Sequence, residues 1–176
     1  SKRAKIDSKP CKKKGDSTSS SSSSSIDAKK QELLDKYHTV FPWTFFKFWQ
    51  WIQSITDDDE NPCNALRDTL RLRLVGPFEY LNGDLSQLSD EQILIHHRYY
   101  FDLPEFQTIA IQVDDHHDDD HDNAAHVHYG YWRDDPKQNP VGIVKANGDD
   151  TVTDKVVQMV HPIASNMFMF VLDLLQ

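Results

Sequence analysis

The residues best suited to chemistry are histidines and carboxylates lying between positions 96 and 134. Asp114-Asp115-His116-His117-Asp118-Asp119-Asp120-His121-Asp122 is a dense run of both, and His126 and His128 follow it. Imidazole and carboxylate are metal ligands, so a zinc, nickel or copper ion suits such a set. On a strand, His126 and His128 would point the same way. Yet no spacing in the run pins a tetrahedron, and the run falls where a loop joins two strands. It reads as a solvated loop, and no metal-ligating residue is assigned. His96 and His97 would face opposite sides of a strand, and neither has an evident third partner.

Other chemistries lack their residues. No Gly-rich phosphate loop follows a strand, and no His-Glu-x-x-His helix occurs. No nucleophile elbow is present. Carboxylates abound, mostly in loop runs where nothing would raise a pKa. Glu105 beside Phe106 stands apart, and it reads as capping a strand connection. No catalytic residue, cofactor-binding residue or cofactor is assigned. On residue chemistry alone, the chain reads as a binding module rather than an enzyme.

Elements must position these groups. Asp27 suits the cap of a helix over about 28–38, with Leu33, Leu34 and Tyr37 on one side. Pro42 suits the first turn of a second helix over about 42–55. Its apolar residues Phe45, Phe48, Trp49, Ile52 and Ile55 repeat at helical spacing, and Phe46 and Trp51 widen the face. That stripe reads as core. Leu70, Leu72 and Leu74 alternate with Arg71 and Arg73 as a half-buried strand, and Gly76-Pro77 turns the chain. Strands are expected over 93–101, 107–113, 126–133 and 140–144. Asn147-Gly148-Asp149-Asp150 signals a hairpin, so a strand over 151–160 should follow. A final helix is expected over 163–176, capped near Ser165 or Asn166. The expected fold is α+β: a mostly antiparallel sheet of five or six strands, with N-terminal helices and a C-terminal helix packed on it.

The chain has 176 residues, enough for one domain with a sizeable core. Its net charge of -9 is unevenly spread. Residues 1–30 hold nine Lys/Arg and three Asp/Glu, for +6, whereas 31–176 carry -15. Residues 1–26 are basic and Ser-rich, including seven serines from Ser19 to Ser25, and read as a disordered tail. Residues 27–176 read as a single domain. The acidic body matches phosphate backbones poorly and suits basic partners. Lys12-Lys13-Lys14, with Lys2, Arg3, Lys5 and Lys9, suits a nuclear localisation patch. Two cysteines, Cys11 and Cys63, exclude a disulfide scaffold and a Cys-based zinc finger. No apolar stretch is long enough to span a bilayer, and no signal-peptide core follows the basic start. The chain begins at Ser and stops at Leu174-Leu175-Gln176 without a clear C-cap, so it is expected to be the front portion of a longer protein.

Four separated segments also carry a resemblance. They are Phe41-Pro42 with Phe45, Phe48 and Trp49; Leu72-Arg73-Leu74-Val75-Gly76-Pro77-Phe78; Arg98-Tyr99-Tyr100-Phe101-Asp102-Leu103-Pro104-Glu105-Phe106-Gln107-Thr108; and His128 to Pro136 with Pro140-Val141. In this order they resemble the histone PARylation factor family, accessory proteins of the DNA-damage-responsive poly(ADP-ribose) polymerases. The resemblance covers roughly residues 30–145 well and the last helix loosely. It implies a nuclear, non-enzymatic part of a factor that directs those polymerases toward serine ADP-ribosylation of histones. Its partners would be the polymerases and histones, reached through the full-length protein. A monomer, no small-molecule substrate and no membrane partner are expected. The acidic catalytic residue that the family lends to the polymerase belongs to a C-terminal domain, which this chain is expected to lack, so none is carried over. The 114–122 run departs from the family pattern as an apparent insertion, and 147–161 departs as well. Phe41-Pro42-x-x-Phe45 before a sheet also resembles the Smi1/Knr4-type interaction scaffolds. A metal-dependent hydrolase built on the 114–122 run is the third reading.

Overall fold

A computed structural model describes residues 21–100, 102–113, 127–147 and 161–176, the side chains of 21–25 and 147 excepted. The fold is α+β, with helices packed on a five-stranded antiparallel sheet. The strands are β1 (Leu72–Leu74), β2 (Phe106–Gln112), β3 (Val127–Trp132), β4 (Gly142–Asn147) and β5 (His161–Ala164), adjacent in chain order. The expected strand over 151–160 and the Asn147–Asp150 hairpin fall almost wholly outside the described residues.

Alternation along β3 sorts the two faces. Tyr129 and Tyr131 join the main core, together with Leu72, Leu74, Ile109 and Ile143. Phe106, Val144 and Ala146 form a smaller cluster with Trp132 on the opposite face. A Cβ at Gly130 would stand 2.5 Å from the Phe106 ring, so this close crossing of β2 and β3 needs glycine.

Helix α2 (Trp43–Ile55) fills the main core, with Pro42 as its N-cap residue. Phe45, Phe46, Phe48, Trp49 and Ile52 are buried, as the helical spacing predicts, while Ile55 is half exposed. The Phe45 ring stacks on Phe78 at 4.4 Å between centroids, and Phe48 meets Phe168 edge-on at 5.4 Å. Such pairs add to the burial of apolar area. Helix α6 (Met167–Leu174) buries Met167, Phe170 and Val171. Asn166 caps it, accepting the N–H groups of Phe168 and Met169 at 3.1 and 3.2 Å. It begins four residues later than expected, because 161–164 pair with β4 instead.

Several expectations are corrected. Helix α1 spans Ser21–Tyr37 rather than 28–38, and Asp27 lies within it, 3.4 Å from Lys30, instead of capping it. Buried Leu33 and Tyr37 anchor its last turns, and lengthening a formed helix costs little per residue. The first twenty residues of the expected tail fall outside the described ones. Leu70 belongs to a short helix, α3 (Arg67–Leu70), and the strand begins only at Leu72. Gly76-Pro77 does not merely turn the chain, because it opens helix α4 (Pro77–Asn82).

The expected strand over 93–101 is not formed. Ser89 and Gln92 build a reciprocal capping box that starts helix α5 (Asp90–Ile95). The cap satisfies helix-end donors, and Ile93 is buried, which together override the β preference of the aromatics that follow.

Candidate functional site

Glu79 gathers the densest set of polar contacts among the described residues. The β1–β2 pairing continues past Leu74 through a bond from Val75 N–H to the Ile109 carbonyl, 3.0 Å. Gly76 follows at φ +60°, where a Cβ would meet the Thr108 carbonyl at 3.0 Å. Pro77 starts α4, so Glu79 occupies the third helical position and its side chain turns back toward the cap. Gly76 N–H donates to Glu79 Oε2 at 2.9 Å, and the Arg73 guanidinium donates to Oε1 at 2.8 Å.

The residues after α5 meet this carboxylate from the other side. His96 Nε2 lies 2.9 Å from Glu79 Oε2, and His97 Nε2 lies 3.3 Å from the same oxygen. The two imidazoles pack edge to face, 4.2 Å between centroids. His97 adopts φ +55°, a left-handed conformation uncommon for a residue with a side chain. Burial resists ionisation of Glu79, but His97, Gly76 N–H and Arg73 outweigh it and hold the carboxyl at about 2. Burial, then the neighbouring His97, lowers the His96 pKa below its usual value, against the pull of Glu79. One oxygen or nitrogen from each of Glu79, His96 and His97 lies within 4.8 Å of the others, close enough to share a metal ion. The expectation that His96 and His97 lack a third partner is thereby corrected. Glu79 escaped the sequence reading, and its only local sign was a glutamate three residues after Gly76.

A second pair lies under the opposite face. His128 Nε2 and Asp102 Oδ1 are 2.8 Å apart, with both side chains essentially inaccessible to solvent. Asp102 Oδ2 also accepts Tyr99 N–H at 3.0 Å, and the Tyr99 ring stacks on His128 at 4.1 Å. Phe106 meets the imidazole edge-on. With both side chains buried the pair is closed to a substrate, and it ties Tyr99 and Asp102 to β3.

The other sequence candidates scatter. His116, His117, His121 and His126 lie outside the described residues. His128 is committed to Asp102. Glu105 lies just before β2, where its backbone carbonyl, not its side chain, accepts Arg133 N–H at 3.2 Å. Asp134 accepts the Trp132 indole N–H at 3.2 Å. Arg133 is buried, donates to the Val40 carbonyl at 2.9 Å and lies over the Phe41 ring. Burial lowers its pKa to about 10 despite the opposing effect of Tyr131.

The model of a family described as Histone PARylation factor 1 matches residues 28–175. The protein of that name from Mus musculus is 36% identical over 115 residues, covering 64% of this chain and 30% of its own length. The Bos taurus protein of the same name is 35% identical over 115 residues, with 64% and 30% covered. The Danio rerio protein is 36% identical over 115 residues, with 65% and 30% covered. The chain thus spans about a third of the curated relatives it matches.

Proposed function

The chain belongs to the histone PARylation factor 1 family, and on that premise we propose that it is the N-terminal, non-enzymatic part of an accessory factor. The factor directs poly(ADP-ribose) polymerases toward serine ADP-ribosylation of histones in the DNA damage response. The match over 28–175 carries this reading. The acids within the resembling motifs support it. Asp102 is sealed beneath rings and Asp134 holds an indole. A general base needs reach to the proton it removes, and the buried Asp102 has none. The acidic body suits basic histone segments, and the basic N-terminal stretch suits nuclear import. The domain works as a monomer.

A domain exchange tests the role. Residues 28–175 replace the matching segment of the Mus musculus relative, and the chimera is combined with activated polymerase, a histone peptide and NAD. Serine-directed modification by the chimera supports the reading. A folded chimera that leaves the modified residue type unchanged overturns it.

A further inference from the structure

The reading of an accessory role does not rest on the cluster at Glu79, His96 and His97, whose geometry stands independently of it. We propose that these three residues bind a divalent first-row transition ion of the zinc class. Zinc bonds to imidazole nitrogen and carboxylate oxygen at about 2.0–2.2 Å, which places tetrahedral ligand atoms roughly 3.3–3.5 Å apart. The two imidazole-to-carboxylate separations, 2.9 and 3.3 Å, already approach that edge. The third separation falls within 4.8 Å and closes with a small shift of two adjacent residues.

The surroundings resemble those of a metal carboxylate. Ligating carboxylates are themselves held by hydrogen bonds. Arg73 holds Oε1 and Gly76 N–H holds Oε2, leaving a lone pair of Oε2 on the histidine side. Arg73 sits on the oxygen away from the imidazoles, so its charge is offset from the ion. The His96 and His97 side chains are 29% and 20% exposed, while Glu79 is 3% exposed. An ion therefore enters past the imidazoles, and water completes the fourth position. In the free protein each Nε2–H faces the ionised Glu79 carboxylate, so binding requires each ring proton to move to Nδ1, which turns the Nε2 lone pair to the ion. The left-handed backbone at His97 is a local strain that places the second imidazole on the same oxygen as the first. The ion would clip α4 to the turn after α5.

Zinc chloride titrated into the full chain against a chromogenic chelator tests the site. The double variant His96→Ala with His97→Asn removes two ligands, and asparagine tolerates the left-handed backbone. A control changes His116, His117, His121 and His126 to Asn. The control should retain a zinc site of wild-type affinity, while the double variant loses more than about 100-fold. Loss in the control with retention in the double variant overturns the proposal, as does absence of competition by the wild-type chain. The unaltered chain gives a readout independent of variant folding. Zinc should slow diethyl pyrocarbonate labelling of His96 and His97 several-fold by peptide mapping, and unchanged labelling there overturns the proposal.

Discussion

Single side chains in this protein are decided by how fully water is withdrawn. Cys63 is buried, and burial with the nearby Glu79 and Asp84 charges pushes its thiol up to about 12. Thiolate is the reactive form, so native Cys63 should resist alkylation at pH 8 and react only once denaturant opens the core. Mapping iodoacetamide adducts with and without urea checks this, and rapid native labelling would contradict it. The same shift fixes a pH effect. A thiol with a raised folded pKa contributes stability fully below its unfolded value, near 9, and loses it as pH rises toward 12. Denaturant midpoints should therefore fall above pH 9, and Cys63→Ser should flatten part of that fall. Asp102 is the second residue to test. Asp102→Ala removes the acceptor of Tyr99 N–H and the carboxylate partner of His128 Nε2 in a largely buried site. Removing one partner of a buried hydrogen bond costs about 1–3 kcal/mol. Urea melts should show a loss in that range or larger, and no loss would place the pair in solvent.

At the scale of elements, α2 is the member on which the others are assembled. Its rings reach α4 through Phe78 and α6 through Phe168, so three helices share one aromatic layer over the sheet. Trp49 is almost fully buried in that layer, 5.6 Å from Phe78. Trp49→Ala should cost about 3–5 kcal/mol. The indole nitrogen has no hydrogen-bond partner among the described residues, so Trp49→Phe removes no hydrogen bond and should cost clearly less. Chemical denaturation of both variants checks the order. A Trp49→Ala loss below about 1 kcal/mol would move the residue to the surface.

On the scale of the whole molecule, the Asp102, Asp134 and Asp135 carboxylates of the resembling motifs are spent on holding structure. The family premise and this internal use lead to one expectation about activity. The chain alone should neither transfer ADP-ribose nor turn a polymerase toward serine. Acid–base help requires a carboxylate held in hydrogen-bond reach of the reacting hydroxyl, and small misplacements forfeit it. Residue-level mapping of modified histone peptides, with and without this chain, checks the point. Serine modification that depends on the chain alone would redirect attention to Asp102, Glu105 and Asp134.

What the sequence determined by itself was whatever repeats locally. The 3.6-residue spacing of Phe45, Phe48, Trp49 and Ile52 was enough to predict α2 and its buried face. The period of two in 127–132 predicted β3, and the apolar run after Pro104 predicted β2. Short helices were less legible, because α4 and α5 have six residues each and show little periodicity. Their signals are caps, and aromatic strand propensity around Tyr99 and Tyr100 masked one of them. The tertiary structure alone decided the candidate site. Glu79 and His96 stand 17 residues apart, and no local pattern links them. They meet because the β1–β2 ladder places Gly76 against Thr108, which aims Glu79 backward from α4, while the left-handed turn at His97 brings two imidazoles to one oxygen. Convergence of that kind depends on how separate elements pack, and packing is a property of the folded chain rather than of any stretch within it.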